Sequence, residues 1–155
     1  MEKKLKICCA TGHRSLPAEK VQYVKQKLYE EILNAIGDGY NYFISGFADG
    51  VDLIFAETVA CMKQERTGIY LEAAIPYPNR LKSKNPVFAE VLKQCDVLHT
   101  VCDKYTPACF RMRNQYMVEQ AERVIAVYDG RQTGGTFTTV VFARSHERDL
   151  KTIDI

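Results

Sequence analysis

Three short turns rich in small residues carry the side chains and amides that could do chemistry in this chain. They are Thr11-Gly12-His13-Arg14, the run from Ser45 to Asp52 (SGFADGVD), and Gly134-Gly135-Thr136. Each lies between an apolar, strand-like run and a helix-like run. Such turns leave backbone N–H groups free at helix starts, where a phosphate or another anion can bind. Together they predict one ligand pocket rather than three unrelated loops.

Glycines and a few polar side chains are the candidate ligand contacts in and near these turns. Glycine allows positive φ and close approach of the backbone to a ligand, and a guanidinium such as that of Arg14 binds phosphate bidentately. Tyr77, on a Pro-rich loop, could stack on a base. For Asp52 we weigh a ribose contact against a carboxylate that only complements a helix dipole. The predicted ligand-binding residues are Thr11, Gly12, Arg14, Ser45, Gly46, Gly50, Asp52, Tyr77, Arg113, Asn114, Gly134, Gly135, Thr136 and Thr138.

Two residues are candidates for acid–base catalysis. His13 titrates near neutral pH, although a lone loop histidine is more often a hydrogen-bonded structural residue. Asp129 is the acid nearest the Gly134-Gly135 turn. The sequence leaves open whether the protein is an enzyme.

Composition limits the other classes of function. The chain has 155 residues, 46% of them hydrophobic, and a net charge of +2, which fits one domain over 1–155 and disfavours a dedicated duplex-DNA binder. The six cysteines include no pair with the two-residue gap of a zinc or redox site, so we expect no metal site. The sequence has no membrane-length apolar stretch and no apolar leader, and we expect a cytoplasmic protein without a membrane partner.

Strand-like and helix-like runs alternate along the whole chain and must position these turns. Proline near position 17 predicts a helix start, and Asp49 is expected to cap the second helix. The fold class is α/β, a single Rossmann-like three-layer domain with a mainly parallel sheet of five or six strands. The ligand should then lie at the carboxyl ends of the strands, near the point where strand order reverses. The predicted strands cover residues 5–10, 42–44, 69–75, 97–101, 123–128 and 152–155; the predicted helices cover 17–36, 50–62, 87–94, 111–120 and 136–146.

Several of these motifs resemble a known superfamily. The run from Ser45 to Asp52 resembles the Ser-Gly-x-Ala-x-Gly-x-Asp motif of the DNA-processing protein DprA (Smf). Residues 110–114 (FRMRN) and 134–140 (GGTFTTV) resemble its Arg-Asn segment and its later turn and helix. Arg113 and Met117 ahead of a Gly-Gly turn are also similar to the LOG phosphoribohydrolases. The chain is identified as a member of the SLOG superfamily, and Thr11-Gly12-His13-Arg14 with the Pro76-Tyr77-Pro78 loop looks most like its YpsA-like family, whose function is unknown.

The sequence differs from the LOG hydrolases at the position of their catalytic residue. LOG enzymes carry a catalytic Glu shortly after the Gly-Gly turn, and Val140 stands at that position here. A valine cannot handle a proton or stabilise a cationic transition state. Asp129 is the only obvious substitute.

Three hypotheses about function follow. The preferred one is binding of a nucleotide-derived small molecule, such as a nucleoside phosphate, ADP-ribose or an NAD-like compound. The second is a nucleotide-processing hydrolase, and the third is single-stranded DNA binding like that of DprA, which the low net charge disfavours. No cofactor is implied beyond such a nucleotide-like ligand, and the resemblance implies a homo-oligomer.

Overall fold

Six strands form one fully parallel sheet in the computed structural model, which describes residues 4–155. The order across the sheet is β4-β3-β2-β1-β5-β6. Every pairing is parallel, as the alternation of strand and helix predicts. The strands are β1 (Ile7–Gly12), β2 (Tyr42–Ser45), β3 (Tyr70–Ile75), β4 (Val97–Thr100), β5 (Arg123–Tyr128) and β6 (Asp149–Asp154).

Five α-helices connect the strands. Short 3₁₀ turns, Ala18–Lys20 and Pro78–Lys82, precede the first and third of them. None of the helices within residues 4–155 has the length and apolar character needed to cross a bilayer. The helices are α1 (Val21–Gly37), α2 (Val51–Glu65), α3 (Pro86–Leu92), α4 (Cys109–Gln120) and α5 (Gly134–Ser145).

The helices cover both faces of the sheet and create two hydrophobic cores. The larger core joins α1, α2 and α3 to one face, where Phe43 is fully buried. The smaller core joins α4 and α5 to the other face, where Ile44 is fully buried. Successive strand residues point to opposite faces, so these neighbours contribute to different cores. The predicted three-layer, Rossmann-like architecture is confirmed.

All the predicted elements are present, but several of their boundaries shift by two to four residues and one predicted cap differs. Strand β6 begins at Asp149, because it pairs with β5 from Arg123↔Asp149 onward, and α5 begins at Gly134 rather than Thr136. The predicted cap at Asp49 is wrong. Gly50, at φ 80°, precedes α2, and Asp49 instead accepts a hydrogen bond from the Asn85 side chain at 3.3 Å.

The order of strands reverses at β1, which positions the site. The chain moves outward from β1 through β2, β3 and β4, then returns to place β5 and β6 on the other side of β1. The helices that follow β1 and β5 therefore lie on opposite faces of the sheet. The crevice that this leaves at the carboxyl ends of two neighbouring strands is where open α/β sheets bind their ligands.

Candidate functional site

A cavity of about 360 Å³ opens at the carboxyl ends of β1 and β5, at the point where strand order reverses. The first and third small-residue turns supply most of its wall, and the second contributes two residues. The volume lies within the range of small-molecule sites. The lining consists of residues 11–14, Ala48, Asp52, Phe110, Arg113, Asn114, Arg131 and residues 133–136.

The first two turns are locked together by the close approach of glycines. A Cβ at Gly12 would lie 2.5 Å from the Val51 side chain, and a Cβ at Gly50 would lie 2.5 Å from the His13 and Arg14 carbonyl oxygens. The Val51 N–H also donates to the His13 carbonyl oxygen at 3.2 Å. Side chains at either glycine would therefore force the turns apart.

The second turn uses its amides internally, in contrast to the free amides expected from the sequence. The N–H of Phe47 donates to the Ser45 hydroxyl at 3.2 Å, and the N–H of Ala48 donates to the Asp52 carboxylate at 3.3 Å. The Ser45 hydroxyl in turn donates to the Asp52 carbonyl oxygen at 2.8 Å. Three of the predicted contact residues lie outside the cavity lining and contact residues that form it: Ser45, Gly46 and Gly50.

Arg113, on α4, is the cationic residue that the fold buries beside this turn. Only 3% of the surface of this residue is exposed. Nη1 donates to the Gly46 carbonyl oxygen at 2.5 Å and Nε donates to Asn114 Oδ1 at 2.8 Å. Nη2 makes no hydrogen bond to any residue from 4 to 155. Arg111, two positions earlier, is exposed, so the sequence-based choice of Arg113 as the inward-pointing arginine agrees with the structure.

Gly46 makes room for this guanidinium. A Cβ at position 46 would lie 2.6 Å from Arg113 Nη1 and 2.8 Å from Asp52 Oδ2. Burial lowers the pKa of Arg113, and the nearby Asp52 carboxylate offsets part of that shift. Burial raises the pKa of Asp52, while the Arg113 charge opposes it. Three guanidinium groups against one carboxylate line the cavity, so it favours an anion.

The third turn contributes the N-terminus of α5. The helix begins at Gly134, whose φ is +93°, and no side chain caps it. Gly134, Gly135 and Thr136 all line the cavity, so the uncapped first turn of a helix, with its partial positive charge, borders it. A Cβ at Gly134 would meet no atom within 4 Å, and this side of the cavity is open.

Four lining residues were not among the predicted site residues: Ala48, Phe110, Arg131 and Thr133. Phe110 is the one that contacts two of the cavity's arginines. The Arg14 guanidinium carbon lies 4.7 Å from the centre of its ring, and that of Arg113 lies 6.0 Å away. These cation–π contacts hold Arg14, which is otherwise exposed, against the cavity wall. The signal was available in the sequence, because positions 110 and 113 share one face of a helix.

The two catalytic candidates are placed unfavourably for proton transfer. Asp129 is outside the lining, and the Arg131 side chain and N–H donate to its carboxylate. These hydrogen bonds lower the pKa of Asp129 to about 2, so it stays ionised at neutral pH. His13 Nε2 lies 3.4 Å from Asp129 Oδ1 without forming a hydrogen bond, and burial lowers the pKa of His13. Val140 is buried in α5 and supplies no carboxylate.

Two further predicted contact residues lie in neighbouring cavities. Tyr77 borders a groove of about 680 Å³ with Tyr105, and its ring packs edge-on against Phe110 at 6.0 Å. Thr138 borders a slot of about 150 Å³ between α4 and α5. Phe110 thus separates the Tyr77 groove from the main cavity.

Comparison with known proteins identifies the family. The model described as the YspA SLOG family matches residues 10–155. The chain belongs to this family. Among curated proteins it is 29% identical over 143 residues to a UPF0398 protein of Bacillus cereus strain B4264, covering 84% of this chain and 78% of that protein. A UPF0398 protein of Halalkalibacterium halodurans is 24% identical over 120 residues, covering 74% and 64%.

Two solved structures have a fold similar to that of this chain. The DNA processing protein A from Helicobacter pylori, described with a single-stranded DNA binding mode, superposes with a TM-score of 0.67 at 16% identity. The match covers 95% of this chain and 64% of that longer one. The X-ray structure of the structural-genomics target TM1055 gives a TM-score of 0.62 at 20% identity, covering 94% and 72%. Both likenesses concern the fold.

Proposed function

We propose that this YspA SLOG protein binds the phosphate of a nucleotide-derived ligand, such as a nucleoside phosphate, ADP-ribose or an NAD-like molecule. The observation that carries the proposal is the buried Arg113, whose Nη2 has no hydrogen-bond partner among residues 4–155 and which lines the same cavity as the uncapped start of α5. Because Arg113 lines the cavity, a phosphate oxygen bound there could accept a charge-assisted hydrogen bond from this donor.

The surroundings of Arg113 support a fixed anion site rather than a loose one. Gly46 and Asn114 hold two of its nitrogens, so the remaining donor is already oriented. Arg14 is held by Phe110, and the glycines of the third turn allow a phosphate to approach the backbone. Little conformational entropy is then lost on binding.

Thermal unfolding in the presence of inorganic phosphate, AMP, ADP-ribose and NAD tests the proposal. A ligand at one hundred times its Kd stabilises the native state by about 2.7 kcal/mol. For a chain of this size, that raises Tm by about 5–10 °C. No rise with any of the four compounds would overturn the proposal.

Arg14→Gln and Arg113→Gln should remove most of the shift. Arg144→Gln, at an exposed arginine on α5 outside the cavity lining, is the matched control. Arg14 is exposed, so its variant is expected to fold even if Arg113→Gln is destabilised. A single lost charge-assisted contact costs about 1.5–3 kcal/mol, or a roughly 10–150-fold weaker Kd by titration calorimetry. Equal weakening in Arg144→Gln would contradict the assignment.

Single-stranded DNA is a second candidate, favoured by the groove beside the main cavity. Tyr77 and Tyr105 meet there with ring centres 5.3 Å apart, and Lys82 and Lys104 line the same groove. Tyr105 is 59% exposed. Exposed aromatic rings next to lysines are what single-strand binders use to stack bases and neutralise phosphates. The Helicobacter pylori protein of similar fold is described as binding single-stranded DNA.

Fluorescence anisotropy with a labelled oligo-dT in low salt tests this second function. Wild type should bind with an affinity that falls steeply as salt rises. Tyr105→Ala should weaken binding by roughly 5–150-fold, since base stacking contributes about 1–3 kcal/mol. Tyr29→Ala, an exposed tyrosine on α1, is the control. Unbound oligonucleotide at all protein concentrations would remove this candidate.

A further inference from the structure

A second, smaller cavity adjoins the proposed phosphate site. This slot, of about 150 Å³, lies between α4 and α5. It shares Phe110, Asn114 and Gly135 with the main cavity. The two volumes, about 360 and 150 Å³, together suit one small ligand with two chemically different ends.

The slot is apolar although two threonines border it. The hydroxyl of Thr138 donates to the Gly134 carbonyl oxygen at 3.0 Å, and that of Thr139 donates to the Gly135 carbonyl oxygen at 2.8 Å. Both hydroxyls are thus directed to the helix backbone, and the rings of Phe110 and Phe142 provide the aromatic part of the wall. The other lining residues are Arg111, Asn114, Gln115 and Gly135. Such a surface suits the face of a flat aromatic group.

Gln115 supplies the polar group that could orient such a ring. It lines the slot, and its side-chain amide makes no hydrogen bond within the part of the chain that the structure describes. A glutamine amide pairs bidentately with the adjacent donor and acceptor of adenine. A ring inserted between Phe110 and Phe142 would therefore meet one amide able to read its edge.

We infer that the slot holds the adenine base of a nucleoside monophosphate whose phosphate occupies the main cavity. This inference rests on the proposed phosphate site. Gly135 and Asn114 both line the two cavities, so the boundary between them runs past a residue without a side chain. Asn114 Oδ1 accepts from Arg113 Nε, which leaves Nδ2 available to the sugar.

Calorimetric titration with inorganic phosphate, ribose 5-phosphate, AMP and IMP tests the inference. AMP should bind at least ten-fold more tightly than ribose 5-phosphate, because only AMP fills the slot. IMP presents an acceptor where AMP presents a donor, so it should bind roughly 5-fold or more weakly than AMP. If AMP and ribose 5-phosphate bind equally, the slot assignment is overturned while the phosphate site stands. If none of the four binds, both proposals fail.

Two variants assign the effect to the slot. Thr138→Phe fills the slot from an exposed position on α5 and should lower the affinity for AMP to that for ribose 5-phosphate. Val141→Phe, at an exposed position on the same helix outside the slot, should leave AMP binding unchanged. Gln115→Ala should abolish the preference for AMP over IMP. An AMP affinity unchanged by Thr138→Phe, or an AMP preference retained in Gln115→Ala, would contradict the inference.

Discussion

At the scale of single residues, His13 is the titratable member of the cavity wall with an ordinary pKa closest to neutral. Its Nε2 is buried without a hydrogen bond, and the Asp129 carboxylate 3.4 Å away compensates only in part. The net result is a lowered pKa, caused chiefly by burial. The imidazole is therefore neutral in the folded protein at pH values where the unfolded chain is already protonated.

This difference makes the free energy of unfolding depend on pH. Below a pH of about 6.5, the unfolded chain binds more protons at this site than the folded one, so stability is lost as pH falls through that value. Urea unfolding at pH 7.5 and 5.5 should show a smaller loss in His13→Gln than in wild type. His146→Gln, at an exposed histidine, should behave like wild type; an identical pH dependence in all three would contradict the prediction.

Sequence reasoning at this scale succeeded where side-chain chemistry and helix phase agree. Arg113 and Arg111 alternate on one helix, and motif position together with phase selects the buried one. The sequence did not predict that Ser45, Gly46 and Gly50 lie behind the cavity lining. Their position depends on which backbone N–H groups of the turn are already hydrogen-bonded to neighbouring side chains. The Asp52 carboxylate binds the N–H of Ala48, four residues earlier in the same turn, and the residue types alone do not say which partner this carboxylate takes.

At the scale of elements, the joint between the β1 turn and the start of α2 determines the shape of the cavity. Gly50 has φ +80° and ψ −127°, a combination open essentially to glycine. A Cβ at this position would lie 2.5 Å from the carbonyl oxygens of residues 13 and 14. Neither feature can be relieved by rotating a side chain, because the opposing atoms belong to the main chain.

Gly50→Ala should therefore lower the free energy of unfolding by at least about 2 kcal/mol, from backbone strain together with the clash. Gly37→Ala is the matched control, since it ends α1 with ordinary φ and no atom within 4 Å of the new Cβ. There we expect a gain of up to about 1 kcal/mol. Denaturant titration measures both, and a Gly50→Ala protein as stable as wild type would refute the proposed joint.

The elements themselves were predictable because their patterns are strong. The apolar positions Val24, Leu28, Ile32 and Ala35 follow helical spacing, and all are buried in α1. The ends were less predictable: α5 begins two residues early at an uncapped glycine, and Asp49 is drawn away by Asn85. Competing tertiary hydrogen bonds decide such boundaries.

At the scale of the whole molecule, the sheet separates two cores of unequal size. The core under α4 and α5 is the smaller, and both of these helices carry the proposed ligand contacts. Residues in that core therefore link stability to the geometry of the site. Ile44 is fully buried there, in the central part of the sheet.

Ile44→Ala should destabilise the fold by about 2–5 kcal/mol, because it removes buried methyl groups and leaves a cavity. For a chain of this length, Tm should fall by roughly 5–20 °C. Val141→Ala, at an exposed position on α5, should change the free energy of unfolding by no more than about 0.5 kcal/mol. A calorimetric scan that shows equal losses in both variants would contradict this account of the core.

The glycine joint divides the rim of the cavity into an unyielding half and an adaptable one. Between β1 and α2 the backbone of Gly50 packs directly against the backbone of residues 13 and 14, so a side chain at that glycine should destabilise the fold. Around α4 and α5, exposed or half-buried side chains such as Gln115 and Thr138 can change without disturbing that foundation. Related proteins with different ligand preferences should therefore differ mainly at the α4 and α5 positions of the rim, and the glycine next to β1 should be retained.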